Sequence, residues 1–142
     1  MGAILRQATR ADIPGMWRVR YAVTENVLPA GRISDDEVRS QLEDTGRGWV
    51  IEVDGRVDAF AIGNGTNGNV WALFTHPGAQ GRGFGSQLHD EMVQWFASQP
   101  VPTLWLTTGT TTKARAFYER RGWELRGPYG DKEVRYERRN AA

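Results

Sequence analysis

The 142-residue sequence contains no cysteine, which removes disulfides, thiol nucleophiles and thiolate metal ligands, and no metal site is expected. Net charge is also nearly missing. Eighteen Lys and Arg against 17 Asp and Glu leave +1, too weak a field to draw duplex DNA or an anionic membrane as the main partner. No apolar run approaches the roughly 18 residues of a membrane span. The opening Met1-Gly2-Ala3-Ile4-Leu5-Arg6 lacks the apolar core of a signal peptide, and Arg6 stands where a myristoylation signal has Ser or Thr. A cytoplasmic protein without a membrane partner is the expectation. Repeats, low-complexity tracts and linkers are absent, so residues 1–142 are expected to form one domain.

What is present is a regular alternation of strand and helix signals. Ile4 to Ala8 predicts a first strand, and Thr9 with Asp12 predicts a helix start whose face carries Ile13, Trp17 and Tyr21, flanked by Met16. Residues 25–33 read as a loop, and Ser34 with Glu37 caps a second short helix containing Val38 and Leu42. Residues 49–53 and 56–62 around Asp54-Gly55 predict a hairpin. Val70 to Thr75 reads as a strand buried on both faces. Phe84, Leu88, Met92, Trp95 and Phe96 mark a helix within 81–98. A strand over 103–107, a helix over 111–121 and a closing pair over 123–126 and 133–138 complete the order β1-α1-α2-β2-β3-β4-α3-β5-α4-β6-β7. That is a mixed α/β domain with a mostly antiparallel sheet.

The most informative segment is Gln80-Gly81-Arg82-Gly83-Phe84-Gly85-Ser86, between a strand and an amphipathic helix. Glycines let a backbone press against a ligand, and the first N–H groups of a helix have no internal partners. Together they suit a pyrophosphate. A P-loop would need Lys-Ser or Lys-Thr immediately after its last glycine, where this chain has Phe84 and Gly85. A dinucleotide fingerprint needs Gly-x-Gly-x-x-Gly, which Gly81-x-Gly83-x-Gly85 does not match. The alternative is a tight turn with no ligand.

The segment resembles the acetyl-CoA motif of the GNAT superfamily of N-acetyltransferases, Gln/Arg-x-x-Gly-x-Gly/Ala after a strand, at Gln80, Gly83 and Gly85. Leu73-Phe74-Thr75-His76-Pro77 is similar to that family's fourth strand, and Ala114-x-x-Phe117-Tyr118-x-x-x-Gly122-Trp123 to its second motif. The resemblance covers about residues 4–138 and implies the GNAT fold, acetyl-CoA as co-substrate and a primary amine, on a small molecule or a protein, as acceptor.

It also implies roles. Backbone groups from Gln80 to Ser86 would hold the pyrophosphate, and Leu73, Phe74 and Thr75 would line the pantetheine, with strand-like pairing at Leu73 and Thr75. Arg82, Lys113 and Arg115 are candidates for the adenosine phosphates. Tyr118 is the candidate general acid, because a phenol with a pKa near 10 can protonate a thiolate leaving group whose pKa is about 8 to 9. Thr111 occupies the position where many members have an asparagine that contacts the pantetheine. The strands 70–75 and 103–107 carry no acid, so Glu25 is the candidate base or acceptor contact, with His76 and a water relay as alternatives. With no cysteine for an acyl-enzyme, direct attack of the amine in a ternary complex is expected. The rivals are a non-catalytic acyl-CoA-binding or regulatory module of the same fold, and a nucleic-acid-binding domain using the tryptophans with Arg135, Arg138 and Arg139. Trp17 and Trp95, on predicted core faces, count against the latter. A homodimer is compatible with the resemblance.

Overall fold

A computed structural model describes residues 2–26 and 28–141. Strand β1 (Ala3–Gln7) leads through a 3₁₀ turn into α1 (Ile13–Ala22), and α2 (Asp35–Ser40) runs on into a wide π turn over Gln41–Thr45. The hairpin β2 (Gly46–Val53) and β3 (Arg56–Asn64) precedes β4 (Val70–Thr75) and α3 (Phe84–Phe96). Then come β5 (Thr103–Gly109), α4 (Ala114–Glu119), β6 (Glu124–Tyr129) and β7 (Glu133–Arg139). The predicted element order holds throughout.

Local chemistry explains most boundaries. Ser34 Oγ accepts from Glu37 N–H at 3.1 Å while the Glu37 carboxylate accepts from Ser34 N–H at 3.0 Å, closing the expected box at α2. Asp54 and Gly55 adopt φ of 53° and 76°, the two positive angles that a two-residue hairpin turn requires. The predicted helix over 111–121 is shorter at its start. The Thr112 hydroxyl bonds Thr108 Oγ1 and the Gly109 carbonyl, a local alternative to the first helical turn. Pro128 sits in β6, an edge strand that does not need its N–H.

Two antiparallel sheets form, ordered β1-β2-β3-β4 and β5-β7-β6. In the first sheet the strand period of two sends Trp49, Ile51, Ala59 and Ala61 toward α3. It sends Val50, Phe60 and Ile62 toward α1 and α2. The predicted stripe on α3 is buried at Phe84, Leu88, Met92 and Phe96. On α1 the expectation needs correction. The buried face is Ile13, Met16 and Val19, whereas Trp17 is half-buried and Tyr21 is exposed and stacked on Trp17. Trp95 is likewise half-buried, packed edge-on against Trp49.

The sheets touch at one end only. Trp105 N–H donates to the Gly68 carbonyl at 3.0 Å, and Asn69 and Trp105 form a single parallel bridge. Gly68 has φ +78°, and a Cβ there would lie 2.3 Å from the Thr103 carbonyl oxygen, so glycine is what allows the approach. Beyond the bridge no ladder joins β4 to β5, and the strands part. This split also corrects the reading of β4 as buried on both faces. Val70 and Ala72 are buried, but Trp71, Leu73, Phe74 and Thr75 are half-buried because they border the openings that the split creates.

Candidate active site

Two cavities meet at the split. The larger, about 570 Å³, lies between β4, the glycine loop, β5 and α4. The smaller, about 300 Å³, lies on the α1 and α2 side of β4 and reaches the β6–β7 hairpin. Asn26, Val70, Trp71, Ala72, Phe74 and Thr107 line both, so the cavities adjoin across these residues and any passage between them runs here.

One wall of the larger cleft is backbone. His76 N–H donates to the Asp58 carbonyl at 2.8 Å, which places the even-numbered residues of β4 in hydrogen bonds with β3. By the alternation of an antiparallel ladder, Leu73 and Thr75 turn their N–H and C=O groups toward the open β5 side. Gly63 pairs with Val70 and Ile62 with Ala72, so Trp71 is the extra residue of a bulge that bends the strand at the passage.

The glycine loop is open as the motif requires. Gly81 and Gly83 have φ of +84° and +79°, and a Cβ at either would meet no protein atom within 4 Å. Their demand for glycine is conformational toward the chain, and the space before them is free. Gly83 is the N-cap of the 13-residue α3, so unpartnered N–H groups of Phe84, Gly85 and Ser86 begin the helix. Gln80, Gly81, Gly83, Phe84, Gly85 and Ser86 all line the cleft.

Tyr118 lies on the opposite wall with 6 % exposure. Tyr118 lines the cleft, and its hydroxyl makes no hydrogen bond to a described residue. Burial pushes the phenol above its ordinary pKa and the nearby Arg121 opposes this, leaving it protonated at neutral pH. Phe117 is half-buried beside the cleft with the Arg121 guanidinium 3.7 Å above its ring.

The other candidates divide. Lys113 lines the cleft. Arg82 does not, and Arg115 turns away to donate to the Tyr136 hydroxyl and the Thr110 carbonyl. The basic groups at the cleft are instead Lys113, Arg120 and Arg121, the last also bonded to Ser86 Oγ and the Phe117 carbonyl. Thr111 is exposed and does not line the cleft. Glu25 lines it, but its carboxylate accepts from Lys113 N–H at 3.1 and 3.3 Å, a cap on the turn that starts α4. His76 Nδ1 accepts from Gly78 N–H at 3.0 Å and is held as a turn cap. Neither Glu25 nor His76 lines the smaller cavity.

Two contributors escaped the sequence reading. Asn26, in the left-handed region at φ 55°, accepts from Gly109 N–H at 2.9 Å and donates to Thr108 Oγ1 at 3.2 Å, anchoring the loop after α1 to the end of β5. His89, one turn beyond the glycine loop, is buried with Nε2 accepting from Trp123 Nε1–H at 3.0 Å and Nδ1 3.0 Å from Asp90. Burial lowers its pKa, and the neutral ring packs against Phe117, Tyr118 and Trp123. Its i+4 position after Gly85 on the buried stripe was the available signal.

A sheet split into two halves, a glycine loop opening a helix beside the split, and cavities meeting through it define an α/β acyl-CoA transferase fold. The sequence matches the acetyltransferase (GNAT) family over residues 15–123, and the chain belongs to that family. Solved structures agree on the fold. A ribosomal-protein-alanine N-acetyltransferase from Brucella melitensis is 20% identical, with coverage of 96% of this chain and 99% of that one and a TM-score of 0.76. PaiA N-acetyltransferase from Thermoplasma acidophilum, in complex with coenzyme A, is 15% identical over 98% and 99% of the two chains, with a TM-score of 0.77. An N-acetyltransferase from Staphylococcus aureus Mu50 is 16% identical over 98% and 99%, with a TM-score of 0.78. No curated protein matches the sequence. Among the described residues no helix is long and apolar enough to cross a membrane.

Proposed function

We propose that the protein transfers an acetyl group from acetyl-CoA to a primary amine by direct attack in a ternary complex. The observation that carries this reading is the lining shared at Trp71, Phe74 and Thr107, across which a cleft suited to acyl-CoA adjoins a second cavity suited to an acceptor. The residues present fit the co-substrate. Free N–H groups at the glycine loop suit a pyrophosphate, the unpaired edge of β4 at Leu73 and Thr75 suits an amide-bearing arm, and Lys113, Arg120 and Arg121 suit further phosphate. When bound, acetyl-CoA supplies the activated acetyl thioester.

The chain's own part is to position and to manage protons. Outward-facing backbone on β4 aligns the arm with the passage, and placing two reactants in one geometry removes much of the entropic barrier. Tyr118 donates a hydrogen bond toward the cleft. Because burial raises its pKa, the phenol does not ionise beforehand. It stabilises the departing thiolate through a hydrogen bond, since the raised pKa favours keeping the proton over transferring it. His89, through Trp123 and its ring contacts, positions Tyr118.

Calorimetry with acetyl-CoA, followed by thiol release against an amine panel, tests the reading. Micromolar binding and amine-dependent thiol release are expected. Binding without turnover for any amine would leave the non-catalytic acyl-CoA module, and stabilisation by ATP or NAD but not CoA would overturn both.

A further inference from the structure

The smaller cavity carries the acceptor's chemistry in its walls. Trp17, Phe60, Trp71, Phe74, Trp105 and Tyr129 make it aromatic, and its charged side chains are Arg20 and Glu133. Glu133 opens β7 and is half-buried. Asp12, Asp58, Glu52 and Glu137 each lie against an arginine, but Glu133 has no cation within 4 Å among the described residues. Its one side-chain hydrogen bond is long, 3.4 Å from Thr107 Oγ1. Thr107 lines both cavities, so the carboxylate sits beside the passage with bonding capacity unused. Arg20 is only partly committed elsewhere, its Nη1 being buried without a hydrogen-bond partner among the described residues. Its guanidinium lies 4.3 Å from the Phe74 ring centroid and donates to the Asn26 carbonyl at 2.5 Å.

We propose that Glu133 receives the acceptor as its ammonium, that one ammonium proton then leaves to solvent through the open cavity so that the neutral amine attacks the thioester carbon as the C–S bond breaks, and that the acceptor is a monoamine on an apolar or aromatic body. The inference rests on the transferase reading above. A half-buried carboxylate without a cation gains most from an incoming ammonium, and the aromatic walls gain from an apolar body. One carboxylate serves one ammonium. A polyamine or aminoglycoside would bring further positive charges into walls that hold Arg20 and no second acid. The same chemistry is offered by a free aralkylamine and by a peptide with an apolar first residue.

The test uses the full chain, first with 2-phenylethylamine, a tetrapeptide starting with a free apolar residue, spermidine and an aminoglycoside as acceptors. One of the first two is expected to exceed both polycations by at least about tenfold in kcat/KM, and which of them leads identifies the source of the amine. A leading polycation overturns the proposal. Glu133→Gln is then expected to raise the KM of the better acceptor about 10- to 100-fold, the worth of a charge-assisted bond, with acetyl-CoA affinity and melting temperature unchanged. In the wild type, 2-phenylethylamine should compete far better than uncharged 2-phenylethanol against labelled acceptor. In Glu133→Gln that preference should collapse toward unity, and Glu133→Asp should restore part of it. An unchanged preference, or a loss of acetyl-CoA binding equal to the loss of amine binding, overturns the role of Glu133. Absence of thiol release by the wild type with every amine would instead fail the transferase reading itself.

Discussion

The two cavities beside β4 are built from different materials. The larger uses backbone: outward amides at Leu73 and Thr75, positive-φ glycines at 81 and 83, and the first turn of α3. The smaller uses side chains gathered from α1, the loop after it, α2 and strands β3 to β7. A backbone site accepts little variation, because only glycine fits its dihedral angles cheaply, and it recognises a ligand that does not change. A side-chain site can be re-lined without disturbing the sheet, which suits the part of a transferase that chooses its acceptor.

The largest expected effect lies in the larger cleft, at its proton donor. Tyr118→Phe should lower kcat by about 10²- to 10⁴-fold, the usual worth of a positioned proton donor, while calorimetry shows nearly unchanged acetyl-CoA binding. Retention of more than about a third of wild-type turnover would return Tyr118 to a packing role.

On the backbone side, Gly83→Val should abolish the thermal stabilisation by acetyl-CoA, about 2.7 kcal/mol at 100 times Kd. The φ of +79° adds a smaller penalty of roughly 1–2 kcal/mol to the ligand-free protein. If the ligand-free loss accounts for the whole effect, the glycine loop serves the fold alone and the contrast between the cavities fails.

On the side-chain side, Trp17→Ala should change acceptor KM by roughly 3- to 10-fold with acetyl-CoA affinity intact, because Trp17 lines only the smaller cavity. Equal loss of both ligands in titrations would mean the cavities are not separable.

The smallest effect is away from both. Asp12 is pushed up by burial but held below its ordinary pKa on balance by Arg6 and the Thr9 N–H, and Asp58 is held below its own by Arg56 against burial, with Arg18 adding to it. Their contribution is complete above the unfolded carboxyl value of about 3.9 and is lost as pH falls through the lower folded values. Urea unfolding between pH 7 and 3 should show wild type losing stability over the acid end of that range. The double variant Asp12→Asn, Asp58→Asn should start lower and lose less.

Much of the donor side was legible in the chain. Gln80, Gly83 and Gly85 lie at fixed spacing within seven residues, and the boxes at Thr9 and Ser34 are local in the same way, since a capping hydrogen bond joins neighbours. The phosphate contacts were less legible. Arg82 and Arg115 are basic and near the motif, yet Arg115 is claimed by Tyr136 across the sheet, and Arg121 reaches the cleft because α4 ends against the glycine loop. Glu25 likewise looked free until Lys113, 88 residues on, proved to hold it.

The sequence alone therefore determined the order of elements, the hairpin turn at Asp54-Gly55, and a glycine loop opening a helix after a strand. Each depends on dihedral preference or periodicity over a few residues. The tertiary structure decided that β4 and β5 pair only at Asn69 and Trp105, that the two cavities adjoin at Trp71 and Thr107, and that Glu133 comes to stand beside them. Those outcomes depend on how two separate sheets pack, and contacts between residues tens of positions apart leave no periodic trace in the chain that makes them.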